Sequence, residues 1–220
     1  MRCAGFCYTF FMKITKFEHS GLAFEKDGKV LLVDPVEFEQ KLPELTNVVG
    51  IILTHKHGDH CQPAVIERMR AANPALELIT SAETAEMVTN ASVAVAGDTR
   101  DVAGFQLAFF GRDHAAILAG QVPCDNIGVV VDGLVVNPGD SFDLPSGSAK
   151  VLLAPIASPW NKIAETIDFV KKARPEVVIP IHDAVLSDLG MTFNCNWLKN
   201  ACAEISAEFV QLGFGERFEI

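Results

Sequence analysis

Short apolar segments, each the length of one strand, follow one another closely along the chain and are joined first by turns and later by helical segments. Asp27-Gly28 is typical of a hairpin turn because both residues tolerate positive φ, and the strand after it, 30–33, ends at Asp34-Pro35. Beyond residue 60 the apolar spacing changes to a helical period that alternates with strands. Hairpins followed by βα units favour layered sheets covered by helices over a purely parallel, doubly wound sheet.

The individual elements can be assigned from the same patterns. Further strands are expected at 14–17, 21–25, 48–53, 76–79, 93–95, 105–110, 127–131, 134–136, 151–153, 177–181 and 209–212. Helices are expected around 37–41 and at 62–72, 81–88, 160–172 and about 196–208.

The length and composition indicate a single domain. The chain has 220 residues, of which 49% are hydrophobic, enough for one sizeable core. A regular strand pattern opens only at about residue 12, so we expect one domain at 12–220 and a tail or upstream-start extension at 1–11.

Charge and cysteine usage restrict the partners and the compartment. A formal net charge of −10 argues against binding to nucleic acid or to an anionic membrane, and leaves a small-molecule substrate as the expected partner. The six cysteines form no CxxC pair, so reduced thiols in a cytoplasmic protein are the simpler interpretation. A homodimer is the default oligomer.

One loop carries most of the chemical information. His55-Lys56-His57-Gly58-Asp59-His60 follows a buried strand directly and contains four potential metal ligands. His55 and His57 alternate to the same side, and Gly58 is expected to let the backbone turn sharply so that Asp59 and His60 face a second ion. Imidazole and carboxylate are ligands that zinc and its first-row neighbours accept, so the loop predicts a metal site.

This loop resembles the HxHxDH motif of the metallo-β-lactamase superfamily, and the resemblance extends from Met12 onward. The family's later ligands match His114, Asp140 in Pro138-Gly139-Asp140, and His182 at a strand end, so that five of the six histidines fall on motif positions. The resemblance implies an α/β fold, the four-layer αββα sandwich, with its site at the open edge between two sheets.

The resemblance also implies a role for each motif residue. His55, His57 and His114 would hold one divalent ion, Asp59, His60 and His182 a second, and Asp140 would bridge them. Two ions would jointly ionise one water for hydrolysis, and Asp59 could also take a proton during turnover. Zinc is the first expectation for both ions, with manganese or iron left open because nitrogen and oxygen ligands do not decide between them.

Within the superfamily, the chain looks most like the small lactonase-type branch that includes ascorbate-phosphate lactonase. His57 departs from the di-iron electron-transfer branch, which has Glu there, and the 140–182 interval is too short for the inserted domain of the nucleases. Ser141 stands where the branch usually has Thr. The expected activity is hydrolysis of a small ester, lactone or phosphoester; a metal-binding sensor without turnover and a phosphodiesterase or nuclease are the alternatives.

Weaker signals complete the candidate site. Asp34 resembles the family's aspartate that orients a ligand histidine, and His19 is expected near the ligands or as an ordinary strand-end residue. Substrate contacts are less clearly indicated, because solvent-exposed charge and core packing are the commoner roles of such residues. The candidates are Arg112, Trp160, Asn161 and Lys162.

Overall fold

Two seven-stranded sheets face each other in the protein, in a computed structural model that describes residues 12–220. The predicted extension at 1–11 lies outside the described residues. The strands of the first sheet are β1 (Lys13–Lys16), β2 (Leu22–Lys26), β3 (Lys29–Val33), β4 (Val48–Leu53), β5 (Glu77–Thr80), β6 (Ser92–Val93) and β14 (Arg217–Glu219). Those of the second are β7 (Thr99–Val102), β8 (Phe105–Phe110), β9 (Gly128–Val131), β10 (Val135–Asn137), β11 (Val151–Pro155), β12 (Val177–Ile181) and β13 (Glu208–Phe209).

Both sheets mix parallel and antiparallel pairs. The first has the order β14-β1-β2-β3-β4-β5-β6 and the second β13-β12-β11-β10-β9-β8-β7. The helices are α1 (Pro63–Ala72), the single turn α2 (Ala82–Ala85), α3 (Ile163–Ala173) and α4 (Asp188–Glu204).

The alternation of apolar side chains along each strand builds three separate layers of core. In β3, Leu31 and Val33 belong to the cluster between the sheets, while Leu32 packs on the opposite face with Ile66 and Met69 of α1. Because successive side chains on a strand point to opposite faces, a fully apolar strand must be covered on both sides.

The second sheet repeats this arrangement. Val151 and Leu153 of β11 face the first sheet, and Leu152 packs against Phe169 of α3 and Leu198 of α4. Helix, sheet, sheet and helix therefore stack in order, and the predicted four-layer α/β sandwich is confirmed.

Strand direction brings several loops to one edge of the sandwich. β3 and β4 are parallel, and so are β10, β11 and β12. β1 runs in the same direction as β3 because both are antiparallel to β2. β8 runs in the same direction as β10 because both are antiparallel to β9. The carboxyl ends of these strands meet at a common edge, and ligands bind at such edges in α/β proteins.

The helix expected around 37–41 does not form. The backbone N–H groups of Phe38, Glu39 and Gln40 instead donate to the Glu18 carboxylate at 2.6–3.0 Å. These bonds satisfy donors that a helix would have used, and Glu18 lies too far away in sequence to be anticipated.

Other boundaries also shift. Helix α4 begins at Asp188 rather than near 196, because the Ser187 side chain caps it by accepting from the Gly190 N–H at 3.2 Å. The helix expected at 81–88 shrinks to α2, and the short strands β7 and β14 were not predicted. Among the described residues, no helix combines the length and apolar character needed to cross a membrane.

Candidate metal centre

Five loops at the common edge carry the candidate ligands. The loop after β4 supplies His55, His57, Asp59 and His60, the loop after β8 supplies His114, and the loop after β10 supplies Asp140. His182 follows β12 directly, and His19 lies in the turn between β1 and β2. Residues more than 160 positions apart in the chain are thereby brought into contact.

His55, His57 and His114 form the first cluster, called here the three-imidazole group. One potential ligand atom from each lies within 4.8 Å of the others, and the ring centroids are 4.6–4.8 Å apart. His55 and His114 are buried and His57 is half-buried. Three imidazoles at this separation can share one cation.

Asp59, His60 and His182 form the second cluster, called here the mixed group. Their ligand atoms, with one of His19, again lie within 4.8 Å of one another. Asp59 Oδ2 is 3.7 Å from His182 Nε2, and the Asp59 side chain remains 37% exposed. The mixed group therefore offers a carboxylate that water or substrate can reach.

Asp140 lies between the two groups. Its Oδ2 is 3.3 Å from His114 Nε2 and 2.9 Å from His182 Nε2, and its Oδ1 is 3.2 Å from His60 Nε2. One carboxylate thus contacts imidazoles of both groups, which is the position expected of a bridging ligand.

Hydrogen bonds at Nδ1 fix the orientation of the buried rings. His60 Nδ1 donates to Asp34 Oδ2 at 2.8 Å, and the Nδ1 atoms of His114 and His182 donate to backbone carbonyls. His55 Nδ1 lies 3.0 Å from Thr54 Oγ1, whose hydroxyl donates to Asp34 at 2.7 Å. Each ring therefore keeps its Nε2 lone pair free, as metal-binding histidines with an outer hydrogen bond do.

The hydrogen bonding of the Nε2 atoms shows whether a cation suits the site. The Nε2 atoms of His55, His60, His114 and His182 are buried without a hydrogen-bond partner, and so is Asp140 Oδ1. Buried polar atoms are normally satisfied, and unpartnered acceptors facing one point are expected where a metal completes the set. The residues present fit divalent metal ions.

The electrostatics of the centre also call for positive charge. Burial alone would lower the pKa of His60, but the Asp140 and Asp34 carboxylates outweigh it and raise that pKa well above its ordinary value. Burial would raise the pKa of Asp140, yet the neighbouring histidines, His60 foremost, hold it well below the usual range. The two buried carboxylates that contact His60 thus favour positive charge at that ring.

The backbone is strained at three of these positions. His19, Asp34 and His182 have φ of 58°, 46° and 59°, in the left-handed region that non-glycine residues seldom occupy. The His182 N–H donates to the His19 carbonyl at 3.1 Å, which ties the first sheet to the second at this point. Such strain persists where surrounding contacts over-determine it, and it concentrates at functional sites.

Two residues position Asp140. Asn126 was not predicted from the sequence, and Trp160 was predicted in a different role. The buried side chain of Asn126 accepts from the Asp140 N–H at 3.0 Å and donates to the Pro138 carbonyl at 2.9 Å. No local pattern distinguishes this asparagine. Trp160, predicted as a weak substrate contact, donates its indole N–H to Asp140 Oδ2 at 2.8 Å, so it orients the shared carboxylate.

The glycines of the two metal-binding loops differ in importance. Gly139 has φ of 62°, and a Cβ there would lie 2.9 Å from the Thr54 Cβ and closer still to the Asn126 side chain. Gly58 has no positive φ and open space around it, so the sharp turn expected there does not depend on glycine. An ordinary turn closed by the His60 N–H to the His57 carbonyl is sufficient.

The other three predicted substrate contacts have different surroundings. Arg112 is 85% exposed and lies 3.4 Å from Asp113. The Asn161 amide donates to the Pro155 carbonyl and to Thr166, and these hydrogen bonds close the loop before α3. Lys162 is at the N-terminal boundary of α3, where its N–H donates to Glu165.

Two cavities border the centre. The larger, of about 620 Å³, is lined by His19 and Asp59 beside the mixed group, together with Phe17, Phe38, Leu186 and Phe214. The smaller, of about 310 Å³, is lined by His57, His114 and Cys124 beside the three-imidazole group. The larger one has the volume of a small-molecule site.

A two-sheet sandwich with a His and Asp centre at its edge defines the class of metallo-β-lactamase folds. A family model described as the beta-lactamase superfamily domain matches residues 13–182, and the chain belongs to that superfamily. Protein Rv0786c of Mycobacterium tuberculosis is 31% identical over 182 residues, which cover 80% of this chain and 86% of that protein. The UPF0173 metal-dependent hydrolase MK1542 of Methanopyrus kandleri is 28% identical over 192 residues, covering 78% and 84%.

Solved structures share the fold at lower identity. Igni18, a metallo hydrolase of Ignicoccus hospitalis, superposes with a TM-score of 0.72 at 23% identity, covering 96% of this chain and 98% of that one. The metallo-beta-lactamase fold protein YhfI of Bacillus subtilis gives 0.69 at 19% identity, covering 96% and 100%. An isothiocyanate hydrolase from Delia radicum gut bacteria gives 0.64 at 16% identity, covering 94% and 98%.

Proposed function

We propose that the protein is a metal-dependent hydrolase that uses two divalent cations on a small, uncharged ester or lactone. The observation that carries this proposal is a set of four buried, unpartnered Nε2 atoms and one unpartnered carboxylate oxygen that belong to closely spaced groups of potential ligands. The metal-dependent hydrolase of Methanopyrus kandleri, 28% identical, supports the hydrolase assignment.

The three-imidazole group would hold one ion and the mixed group the other, with Asp140 as the shared ligand. Zinc suits such a set of imidazoles and carboxylates, and manganese or iron would also be accepted. When bound, the ions would supply a water of lowered pKa and polarise the bond that is broken.

The residues around the ions have distinct tasks. Asp59, at the border of the larger cavity, is exposed enough to accept a proton from the attacking water at a carboxylate oxygen. Trp160 donates to the Asp140 carboxylate and Asn126 accepts from the Asp140 backbone N–H, so the shared carboxylate need not reorganise during turnover.

The charge of the larger cavity favours an uncharged substrate over a phosphoester. Its lysine, Lys16, is buried and paired with Asp183 at 3.0 Å. Glu39 and Asp188 also line the cavity, while Phe17 and Phe214 provide apolar surface. An anionic group away from the ions would meet carboxylates, so an acyl chain or lactone ring fits this lining better.

The smaller cavity leads to the same conclusion. Its lysine, Lys56, lies 2.6 Å from Glu83 Oε2 at the surface. Among the residues that line the two cavities, both lysines are thus already paired with a carboxylate.

A substrate panel at matched metal occupancy tests the proposal. Purified, metal-loaded protein should hydrolyse lactones and simple esters and prefer them to phosphodiesters, thioesters and single-stranded RNA. The His57→Ala variant, assayed beside it, controls for contaminating hydrolases. A preference for phosphodiesters or RNA would overturn the substrate class. Full metal occupancy with no turnover of any compound would overturn the hydrolase proposal and favour a metal sensor.

A further inference from the structure

We propose that His19 is a hydrogen-bond donor to the substrate and not a ligand of the second ion, an inference that rests on the proposed hydrolase function. Its ring lies among the mixed group, and its potential ligand atom falls within 4.8 Å of those of Asp59, His60 and His182. Position alone would therefore make it a fourth ligand.

The hydrogen bond at the other ring nitrogen points to the opposite role. The backbone N–H of Ala184 lies 3.2 Å from His19 Nδ1, and a backbone N–H can only donate. Nδ1 must then accept, and the single proton of the neutral ring is on Nε2. A protonated Nε2 has no lone pair for a cation.

The four buried ligand histidines provide the contrast. The Nδ1 of His60 faces a carboxylate, and those of His114 and His182 face backbone carbonyls, which are all acceptors. His55 Nδ1 faces a hydroxyl whose own proton is used by Asp34. The proton of each of these rings is on Nδ1, so His19 has the reverse tautomer.

The surroundings keep His19 in this arrangement. Its ring packs on His182 with centroids 3.8 Å apart and meets the edge of Phe38 at 5.9 Å. The His182 N–H holds the His19 carbonyl, which stabilises the left-handed backbone. Rotation of the ring to present a lone pair would leave the Ala184 N–H without this acceptor.

The Nε2 atom of His19 is buried and has no hydrogen-bond partner, although Asp59 Oδ2 lies 3.3 Å away. His19 and Asp59 both line the larger cavity. A fixed donor at this point would stabilise a substrate oxygen as it gains negative charge when water adds, while the proton stays on Nε2.

Histidine NMR of the wild-type, zinc-loaded protein tests the tautomer without any variant. Long-range ¹H–¹⁵N correlation spectra should show His19 as the Nε2–H form and His55, His60, His114 and His182 as the Nδ1–H form. A metal-bound Nε2 and protonated Nδ1 at His19 would overturn the proposal. This result does not depend on finding a substrate, so it separates failure of the donor role from failure of the proposed function.

A pair of variants tests the catalytic consequence. His19→Asn suits the left-handed backbone, which asparagine tolerates, and its shorter side chain cannot place an amide N–H at the position of the His19 Nε2–H. It should keep two ions and an unchanged cobalt absorption spectrum, while kcat falls about 100- to 1,000-fold with little change in KM. His19→Gln, whose longer side chain can bring its amide N–H closer to that position, should recover part of kcat. Loss of one ion or an altered cobalt spectrum in His19→Asn would contradict the donor role, as would unchanged kcat.

Discussion

The two ligand groups lie side by side in one centre, yet the protein supports them differently. In the mixed group, His60 is held by the Asp34 carboxylate, His182 by a backbone carbonyl, and Asp59 adds a negative charge. The three-imidazole group has no carboxylate of its own: His114 is held by a backbone carbonyl, His55 faces the Thr54 hydroxyl, and His57 is half-buried with its Nε2 3.7 Å from the Cys124 thiol.

This difference indicates which ion the protein should retain more strongly. A carboxylate that accepts from the outer nitrogen, as Asp34 does from His60, raises ligand basicity, and a carboxylate ligand such as Asp59 adds Coulombic attraction. We therefore expect the mixed group to be the tighter site, with the three-imidazole group releasing its ion first to a chelator.

The largest effect should come from Asp140, which contacts imidazoles of both groups. Asp140→Asn removes the shared negative charge, so it should weaken both ions and reduce kcat/KM by more than about 100-fold, since even residues that only orient ligands are worth roughly 10- to 100-fold. Metal analysis after dialysis and steady-state kinetics measure this. Two firmly held ions and near-normal activity in this variant would end the assignment of Asp140 as the shared ligand.

A ligand confined to one group should separate the two ions. His57→Ala should lower the metal content from two ions to one and abolish most activity, again by more than about 100-fold. The matched variant His182→Ala should instead empty the mixed group. If His57→Ala keeps both ions and remains active, the division into two groups is wrong.

Substitution of Asp34 should weaken metal binding at the mixed group more than at the three-imidazole group. It bonds directly to His60 but reaches His55 only through the Thr54 hydroxyl. Asp34→Asn should therefore weaken the ion of the mixed group by roughly 10- to 100-fold. Competition with a chelating dye, followed ion by ion, gives the two affinities. Equal weakening of both ions would show that the network does not discriminate between the groups.

The smallest effect is expected at Trp160. Trp160→Phe keeps the packing on Phe142 but loses the indole N–H that orients Asp140. Both ions should remain, and kcat should fall by about 10-fold, the lower end for a residue that orients a ligand. Metal loss in this variant would mean that the indole supports binding and not only geometry.

The sequence was most informative where the signal is local. Alternating apolar residues such as Leu31 and Val33 identify the inner face of a strand, and a row of ligands from His55 to His60 concentrates in one loop. Both signals depend on spacing over a few residues, so layered sheets and a metal-binding loop could be predicted from the sequence, whereas the four-layer sandwich was implied by the family resemblance.

Most of the missing pieces are long-range contacts. The tautomer of His19 depends on Ala184, and the segment at 37–41 is shaped by Glu18, neither of which leaves a mark in the local sequence. The short strand β14 forms because it pairs with β1 at the other end of the domain. Asn126 likewise gains its role only when the fold brings it beside Asp140.

The central claim is that the two groups bind two cations around Asp140. Elemental analysis of protein purified without chelators, combined with anomalous diffraction at the metal absorption edge, tests it most directly. We expect two ions per chain, one at the three-imidazole group and one at the mixed group. A metal-free protein that cannot be loaded, or ions bound away from these residues, would contradict it.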